Sequence, residues 1–414
     1  MTNSSRSPIR GATFCRYCIV REGIKGSQIK SRNAVCSLCE GALSNLSKIV
    51  AVIRRETASY EFSTFLVGAS LPQSILDKED ELRSRLKIKG KENIKSQITK
   101  IISKKLATET KRKVDYSRPD VTILVSLIDN MVTITSRSIW LSARYRKMHR
   151  GIPQRASVCK VCNGLGCAEC DYSGKKGASV QAIAESYFAK IFEAEACNFV
   201  WLGSEDEMSL VEGSGRPFYV EVLRPKKRSV FKFKRPQKRS KVFRISDGVE
   251  ISGIEVLNSK PTEIPQFEIT ARINLKRKDE SSDISINLEA IHTKFSEVFV
   301  NVRLSRKYRT VKRKIHSIEG HIAEGGLTAS LVLNCEGGIP LKKFVSGEDG
   351  TVEPNISSLL IPYELDSIMP FDIMDVRIKK AETKKVSKVS VSDIGQEVAN
   401  GVEPEVDQSI AALL

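Results

Sequence analysis

Apolar positions along the chain change period several times, and each change predicts an element. Residues 49–72, "IVAVIRRETASYEFSTFLVGASLP", are rich in β-branched and aromatic side chains and stop at Pro72, which predicts strands. A helix is expected next, because Ile94, Ile98, Ile101 and Ile102 recur at i, i+4, i+7 and i+8 while lysines take the other face. "DVTILVSLID" then alternates Val121, Ile123, Val125 and Leu127, a strand with one buried face, and "NMVTITSRSIWL" reads as its neighbour. Together these make an α+β module of about 100 residues. From Ser179, "SVQAIAESYFAKIFEAEACNF" is an amphipathic helix with Val180, Ile183, Ala184, Tyr187, Phe188 and Ile191 on one face. Beyond it "YVEVLRP", "FEITARINL", "SINLEAI" and "SLVLNCEGG" are strand-like between polar turns, and the region ends near "MDVRIKKAE". Residues 383–414 are poor in aromatics and mixed in charge, which predicts a flexible tail.

Length changes the picture first: 414 residues exceed what one hydrophobic core sustains, so two or three domains are expected. No apolar run approaches the roughly 20 residues of a membrane-spanning helix, and the N-terminus lacks the apolar stretch of a signal peptide. The expectation is a cytoplasmic protein with no membrane partner. Charge changes it again. Lys and Arg number 67 against 49 Asp and Glu, a formal net charge of +18 that makes nucleic acid the leading partner. The excess is clustered. From Arg224 to Arg244 there is no acidic residue, and the alternation in "FKFK" predicts a basic hairpin presenting Arg224, Lys226, Lys227 and Arg228 among its cations. "SARYRKMHRGIPQR" interleaves Arg144, Arg146, Lys147 and Arg150 with Tyr145, which suits stacking on RNA as well as it suits a solvated charged face.

Eight of the ten cysteines come in C-x2-C pairs. Cys15 and Cys18, with Cys36 and Cys39, match a zinc ribbon, in which two knuckles each offer two thiolates to a tetrahedral ion. Cys159, Cys162, Cys167 and Cys170 sit in "CKVCNGLGCAEC", which resembles half of the zinc module of DnaJ-type chaperones. One or two structural zinc ions are therefore expected, with no catalytic cofactor, because four thiolates leave no open position for water. Spacing leaves open whether each quartet closes on itself. Cys197 and Cys335 stand apart and read as small buried hydrophobes.

An acidic knot, "GSEDEMSLVEGSGRPF", precedes the most basic segment. It holds Asp206 in a turn between a helix and a strand; Tyr308 lies in "RKYRTV" and Lys342 in "GGIPLKKF". Each signal is weak alone. Together with "YEFSTFLVGASLP", "KEDELR", "RYRKMHRGIPQ", "CKVCNGLGCAEC" and "EGGIPLKKFVSGEDGTVEPNISSLL", they occur in the order and approximate spacing of the archaeal tRNA pseudouridine synthases of the "Pus ten" family, which this chain resembles up to about residue 380.

The resemblance implies an α+β fold: a zinc ribbon (1–47), a THUMP-like RNA-binding module (48–150), a second four-cysteine cluster at the joint (151–180) and a pseudouridine synthase domain with a central mixed or antiparallel sheet (181–382). It implies a monomer acting on tRNA, isomerising adjacent uridines of the TΨC arm. By position, Asp206 matches the nucleophile, Tyr308 the residue that stacks on the target base, and Lys342 the basic partner of the carboxylate; Arg216, in "GRPF", joins the expected RNA contacts. The chain departs from the pattern at Ser204, Leu210 and Thr351, where arginine is usual, at Met208, where aspartate is usual, and at Pro340, where tyrosine is usual. Those departures motivate a second reading, a non-catalytic tRNA-binding relative. A zinc-ribbon protein of the ribosome or transcription machinery explains the charge and cysteines but not the chained segments after Gly203.

Overall fold

The computed structural model describes residues 12–24, 27–28, 35–129, 131–170, 172, 174–229, 243–246, 248–263, 265–278, 286–304 and 309–379. The basic segment between Ser229 and Phe243, the expected base-stacking Tyr308 and the C-terminal tail lie outside the described residues.

The N-terminal domain contains helices α1 (Arg16–Glu22), α2 (Leu46–Thr57), α3 (Gln73–Arg85) and α4 (Ile94–Thr110) against strands β1 (Thr64–Ser70), β2 (Val121–Ser126) and β3 (Met131–Ser136). β1 and β2 pair in parallel, β2 and β3 antiparallel, and a short strand Lys113–Val114 flanks β1. α4 forms as its isoleucine stripe requires: Ile94, Ile98, Ile102 and Leu106 are fully buried, each contributing about 1.5–3 kcal/mol. Asn93 caps it, its side chain accepting the Ser96 N–H at 2.7 Å.

The first half of the segment 49–72 is helix rather than strand. Leu46, Ile49, Val50, Ile53 and Thr57 are the buried positions, a helical spacing that outweighs β-branched composition; only Thr64–Ser70 is strand. α3 carries no strong apolar stripe. A buried ionic cluster fixes it instead: Arg83 donates to Glu22 of α1 at 3.0 Å, and the Glu79 carboxylate accepts the first N–H of α4, from Ile94, at 2.9 Å. The first cysteine quartet is part of this core, with Cys18, Cys36 and Cys39 almost wholly buried among Leu38, Leu43 and the helices.

The second domain is a twelve-stranded sheet. Its main strands are β4 (Ile139–Lys147), β5 (Ala196–Trp201), β6 (Val211–Leu223), β7 (Phe243–Ser246), β8 (Val249–Leu257), β9 (Phe267–Arg277), β10 (Val298–Leu304), β11 (Arg309–Ile322), β12 (Thr328–Glu336) and β13 (Phe371–Ile378). The order is β7-β8-β4-β6-β13-β9-β12-β11-β10, with β5 paired to β6. β4, expected with the N-terminal module, is hydrogen-bonded between β6 and β8 in this larger sheet. Neighbouring strands in this order run antiparallel except β6 and β13, which meet in parallel at Val211 and Ile373. α5 (Val180–Phe192) packs on the sheet, capped by Ser179, and α6 (Leu288–Phe295) covers β11. "SINLEAI" thus opens a helix, not a strand: Asn287 accepts the Ala290 N–H at 2.9 Å and caps α6.

The start of the expected basic hairpin is a clasp between the domains. Glu61 accepts the N–H groups of Arg228 and Ser229 at 2.7 and 2.8 Å, and the Arg228 guanidinium donates to Asp120 O at 3.0 Å and Ser136 Oγ at 2.9 Å. Ser136 Oγ in turn donates to Pro225 O at 2.7 Å.

Candidate active site and the cleft between domains

Asp206 lies in the turn between β5 and β6, where the two halves of the sheet meet. Opposite stands the short helix α7 (Leu341–Ser346), whose buried Leu341, Phe344 and Val345 fix its orientation and leave Lys342 facing the turn. Lys342 Nζ donates to Asp206 Oδ2 at 2.5 Å, and the Met208 N–H donates to Oδ1 at 3.0 Å. Residues 136 positions apart are thereby joined. They line a cavity of about 430 Å³ whose apolar floor is Ile269, Leu341, Phe371 and Ile373.

Burial works to raise the Asp206 pKa, but the Lys342 hydrogen bond, the Met208 N–H and the Lys342 and Lys147 charges outweigh it, and the carboxyl sits below its usual range. The group is an ionised carboxylate, partly exposed, aimed into a small apolar hollow. A carboxylate held in this form has an electron pair to offer and no proton to give.

The turn itself is held from beneath. Gly203 has φ +80°, and a Cβ there would lie 2.4 Å from Arg216 Nη1. Lys147, fully buried, donates to the carbonyl oxygens of Ile152, Asp206 and Glu207 at 2.8, 2.9 and 3.0 Å. Arg216, also fully buried, donates to Leu202 O at 2.9 Å and Ser204 O at 3.3 Å. Tyr145 has no exposed surface and donates to the Glu205 carboxylate at 2.7 Å. Three residues expected to touch RNA, Tyr145, Lys147 and Arg216, are therefore internal. Alternation on β4 and β6 turns them inward, and the sequence shows their charge but not their facing.

The other expected RNA contacts are largely engaged within the protein. Arg144 donates to Ser214 Oγ, Gly215 O and Val376 O, Arg146 pairs with Glu250, and Arg150 makes a two-pronged pair with Asp372 at 2.7 and 2.9 Å. Asp372 also accepts the Leu210 N–H at 2.8 Å, so this pair braces the far end of the Asp206 turn. Arg224 and Lys226 are exposed, Arg224 pairing with Glu195; Lys227 is half-buried, 3.9 Å from Glu193.

A second cavity, of about 930 Å³, opens between the domains. Its walls carry Arg112, Arg118, Arg137, Arg228 and Lys260 beside Tyr60, Phe62 and Trp140. Arg137 and Arg228 are tied to Asp120, and Arg118 donates to Asn258 O at 2.6 Å. The Arg112 guanidinium stacks 3.6 Å over Phe62, and Lys260 Nζ lies 5.9 Å from the Trp140 ring. Among the described residues neither has a carboxylate partner. Of its cations only Arg228 carries a sequence expectation, because the walls come from five separate segments.

Each cysteine quartet closes on itself, its four sulfur atoms within 4.8 Å of one another. Sulfur separations of 3.7 Å for Cys15–Cys39 and 3.9, 3.8 and 3.7 Å for Cys159–Cys167, Cys162–Cys170 and Cys167–Cys170 match the edge of about 3.8 Å in a tetrahedron with zinc–sulfur bonds of about 2.3 Å. Backbone N–H groups also point at the sulfurs, from Cys15 to Cys36 Sγ at 3.3 Å and from Gly166 to Cys162 Sγ at 3.2 Å. Both quartets can hold one zinc ion each, as structural sites. Cys197 and Cys335 are buried in the core of the large sheet, as their isolation suggested.

Comparison with known proteins agrees with this arrangement. The family profile "Pus10, C-terminal" matches residues 140–377, and "Pus10 THUMP domain, archaeal" matches residues 49–126. The chain is 31% identical to the tRNA pseudouridine synthase Pus10 of Cenarchaeum symbiosum (strain A) over 367 residues, 85% of this chain and 87% of that protein. It is also 31% identical to the protein of that name from Nitrosopumilus maritimus (strain SCM1), covering 83% and 86%. A third relative of that name, from Methanothrix thermoacetophila, is 29% identical over 91% of this chain and 83% of its own length. With a THUMP domain preceding a sheet that pairs Asp206 with Lys342, this chain belongs to the Pus10 family of tRNA pseudouridine synthases.

Proposed function

We propose that the protein isomerises uridine in the TΨC arm of tRNA with Asp206 as its nucleophile and Lys342 as the group that keeps Asp206 ionised. The observation that carries this reading is the Lys342–Asp206 contact of 2.5 Å at the mouth of an apolar cavity. At about 430 Å³ the cavity is in the size range of small-ligand sites, large enough for one flipped base and its ribose. The apolar floor favours a planar base withdrawn from its stack, and burial there strengthens the effect of the carboxylate on the sugar carbon.

The reaction balances as an isomerisation. The bond from C1′ to N1 breaks, the freed uracil turns, and a bond from C1′ to C5 forms; the C5 proton is released and N1 takes a proton. Asp206 supplies the electron pair that promotes the first step and is regenerated at the end. No oxidant or reductant is required. Tyr308 keeps the role its position implies, stacking on the displaced base. The cleft between the domains recruits the substrate: Arg112 and Lys260 are cations without carboxylate partners among the described residues and lie beside aromatic faces, a combination suited to phosphate and base together.

The test is tritium release from transcribed tRNA labelled at uracil C5, followed by mapping of the product. Wild-type protein is expected to release tritium from the TΨC arm, and Asp206→Ala to lose at least about 10⁴-fold in rate while binding tRNA normally. Absence of release from a tRNA that the wild-type protein demonstrably binds would establish the non-catalytic alternative.

A further inference from the structure

We propose that Glu205 is a positioning residue for the reaction: its buried carboxylate gathers Tyr145, Gln154 and Arg216 into one scaffold that fixes the backbone of the catalytic turn and so the direction of the neighbouring Asp206. The proposal rests on the reading of Asp206 as the nucleophile.

Adjacent residues in this turn both border the cavity but differ in exposure. The Asp206 side chain reaches the cavity, whereas the Glu205 side chain is completely buried. Tyr145 Oη lies 2.7 Å from both Glu205 carboxylate oxygens, Gln154 Nε2 lies 3.3 Å from Oε2, and Arg216 Nε lies 2.9 Å from Oε2. The same partners hold the turn by its carbonyls. Arg216 takes Leu202 and Ser204, and Gln154 takes Gly203 at 3.2 Å while donating to Tyr145 Oη at 2.8 Å. Three consecutive carbonyls before Glu205 are thus pinned by side chains that converge on Glu205 itself.

A turn between strands is ordinarily among the mobile parts of a fold. Here the carbonyls of Leu202, Gly203 and Ser204 are bonded to side chains with almost no exposure, which restrains the turn. Attack on a sugar carbon requires the carboxylate to be held within a few tenths of an ångström, and a misplacement of 1 Å costs about 100-fold in rate. Burying Glu205 and Arg216 together is costly and adds little to stability compared with an apolar pair. Their retention beside the nucleophile is explained by geometry.

The experiment uses the full chain and C5-tritiated tRNA, with single-turnover rate, tRNA affinity and thermal midpoint measured for each variant. Tyr145→Phe keeps the ring against Trp201 and Phe218 and removes only the hydroxyl. It is expected to bind tRNA within about twofold of wild type and to reach full release amplitude, at a rate about tenfold lower. Glu205→Gln leaves Arg216 unpaired and loses both stability and rate; the double variant Glu205→Gln/Arg216→Met removes both charges and is expected to regain the thermal midpoint while its rate stays about 100-fold low. A Tyr145→Phe rate within twofold of wild type, or a double variant whose rate returns with its stability, would overturn the proposal. Should Glu205→Gln not fold, Tyr145→Phe decides alone. Wild-type protein that binds tRNA and releases no tritium would overturn the nucleophile reading first, and this proposal with it.

Discussion

Around Asp206 the charged groups among the described residues have partners within the protein. Lys342 is on the carboxylate, Lys147 on three carbonyls, Arg216 on Glu205 and two more carbonyls, and Arg150 on Asp372. In the cleft between the domains, Arg112 rests on the Phe62 ring and the exposed Lys260 lies near Trp140, neither held by a carboxylate among the described residues. The first region has spent its electrostatics on fixing geometry; the second ties Arg118, Arg137 and Arg228 to protein acceptors and keeps Arg112 and Lys260 available. A site that must present one reactive atom needs charges that cannot rearrange, whereas a site that must collect a polyanion needs charges that can exchange counterions for phosphates.

Removing Lys342 should separate the two regions most sharply. Lys342→Met is expected to lower the single-turnover rate about 100-fold with little change in tRNA affinity. Its pH profile carries the sign. In the wild type the Asp206 carboxyl titrates below its usual range, so the ionised form that the proposed attack requires persists into mild acid; without Lys342 the raising effect of burial is left less opposed, and the acid limb of the rate profile is expected to move to higher pH. An acid limb that stays in place would detach Lys342 from Asp206 chemistry.

The cleft should answer in the complementary way. Arg112→Gln combined with Lys260→Gln is expected to weaken tRNA binding about tenfold and to reduce the slope of log affinity against log salt by about 2, with the rate at saturating tRNA unchanged. A rate that fell with affinity intact would show that the cleft shapes the catalytic site instead of recruiting substrate.

The smallest effect is expected at the clasp that keeps the two regions in register. The hydroxyl of Ser229, then the N–H groups of Arg228 and Ser229, hold the Glu61 pKa down to about 2. A carboxyl lowered on folding contributes stability that is present above its unfolded pKa and lost as pH falls toward the folded value. Glu61→Gln should therefore lower the thermal midpoint by about 2–4 °C near neutrality, and the difference should disappear as the pH falls from about 4 toward 2. A midpoint unchanged at neutral pH would mean that Glu61 does not hold the domains together.

Much of the N-terminal domain could be read directly. The isoleucine stripe of α4 and the alternation of β2 are local patterns, and each residue in them has one environment. The segment 49–57 misled because β-branched residues suit strands by composition and helices by spacing, and burial of Ile49, Val50 and Ile53 on one face decided for the helix. "SINLEAI" misled for a related reason, its asparagine being a cap. At the site, Asp206 and Lys342 were found as separate candidates, and Glu205 went unremarked because a glutamate in an acidic knot looks solvated. The basic run from Arg144 to Arg150 gave the charges correctly and their direction wrongly for Tyr145 and Lys147.

What the sequence determined by itself is whatever depends on neighbours in the chain: the paired cysteines, the helical stripes, the excess of positive charge and the ordered segments that place the chain in its family. What only the tertiary structure decided is whatever depends on distance in space. Lys342 reaches Asp206 across 136 residues, Tyr145 and Arg216 turn inward to Glu205, and Arg112 and Lys260 line one cleft. The physical reason is that local periodicity fixes which face of an element is apolar, while the partner of a charged side chain is chosen by which strands the sheet brings together. In this fold the counterpart comes from another element each time: α7 supplies Lys342 to Asp206, and β4 and β6 supply Tyr145 and Arg216 to the desolvated Glu205.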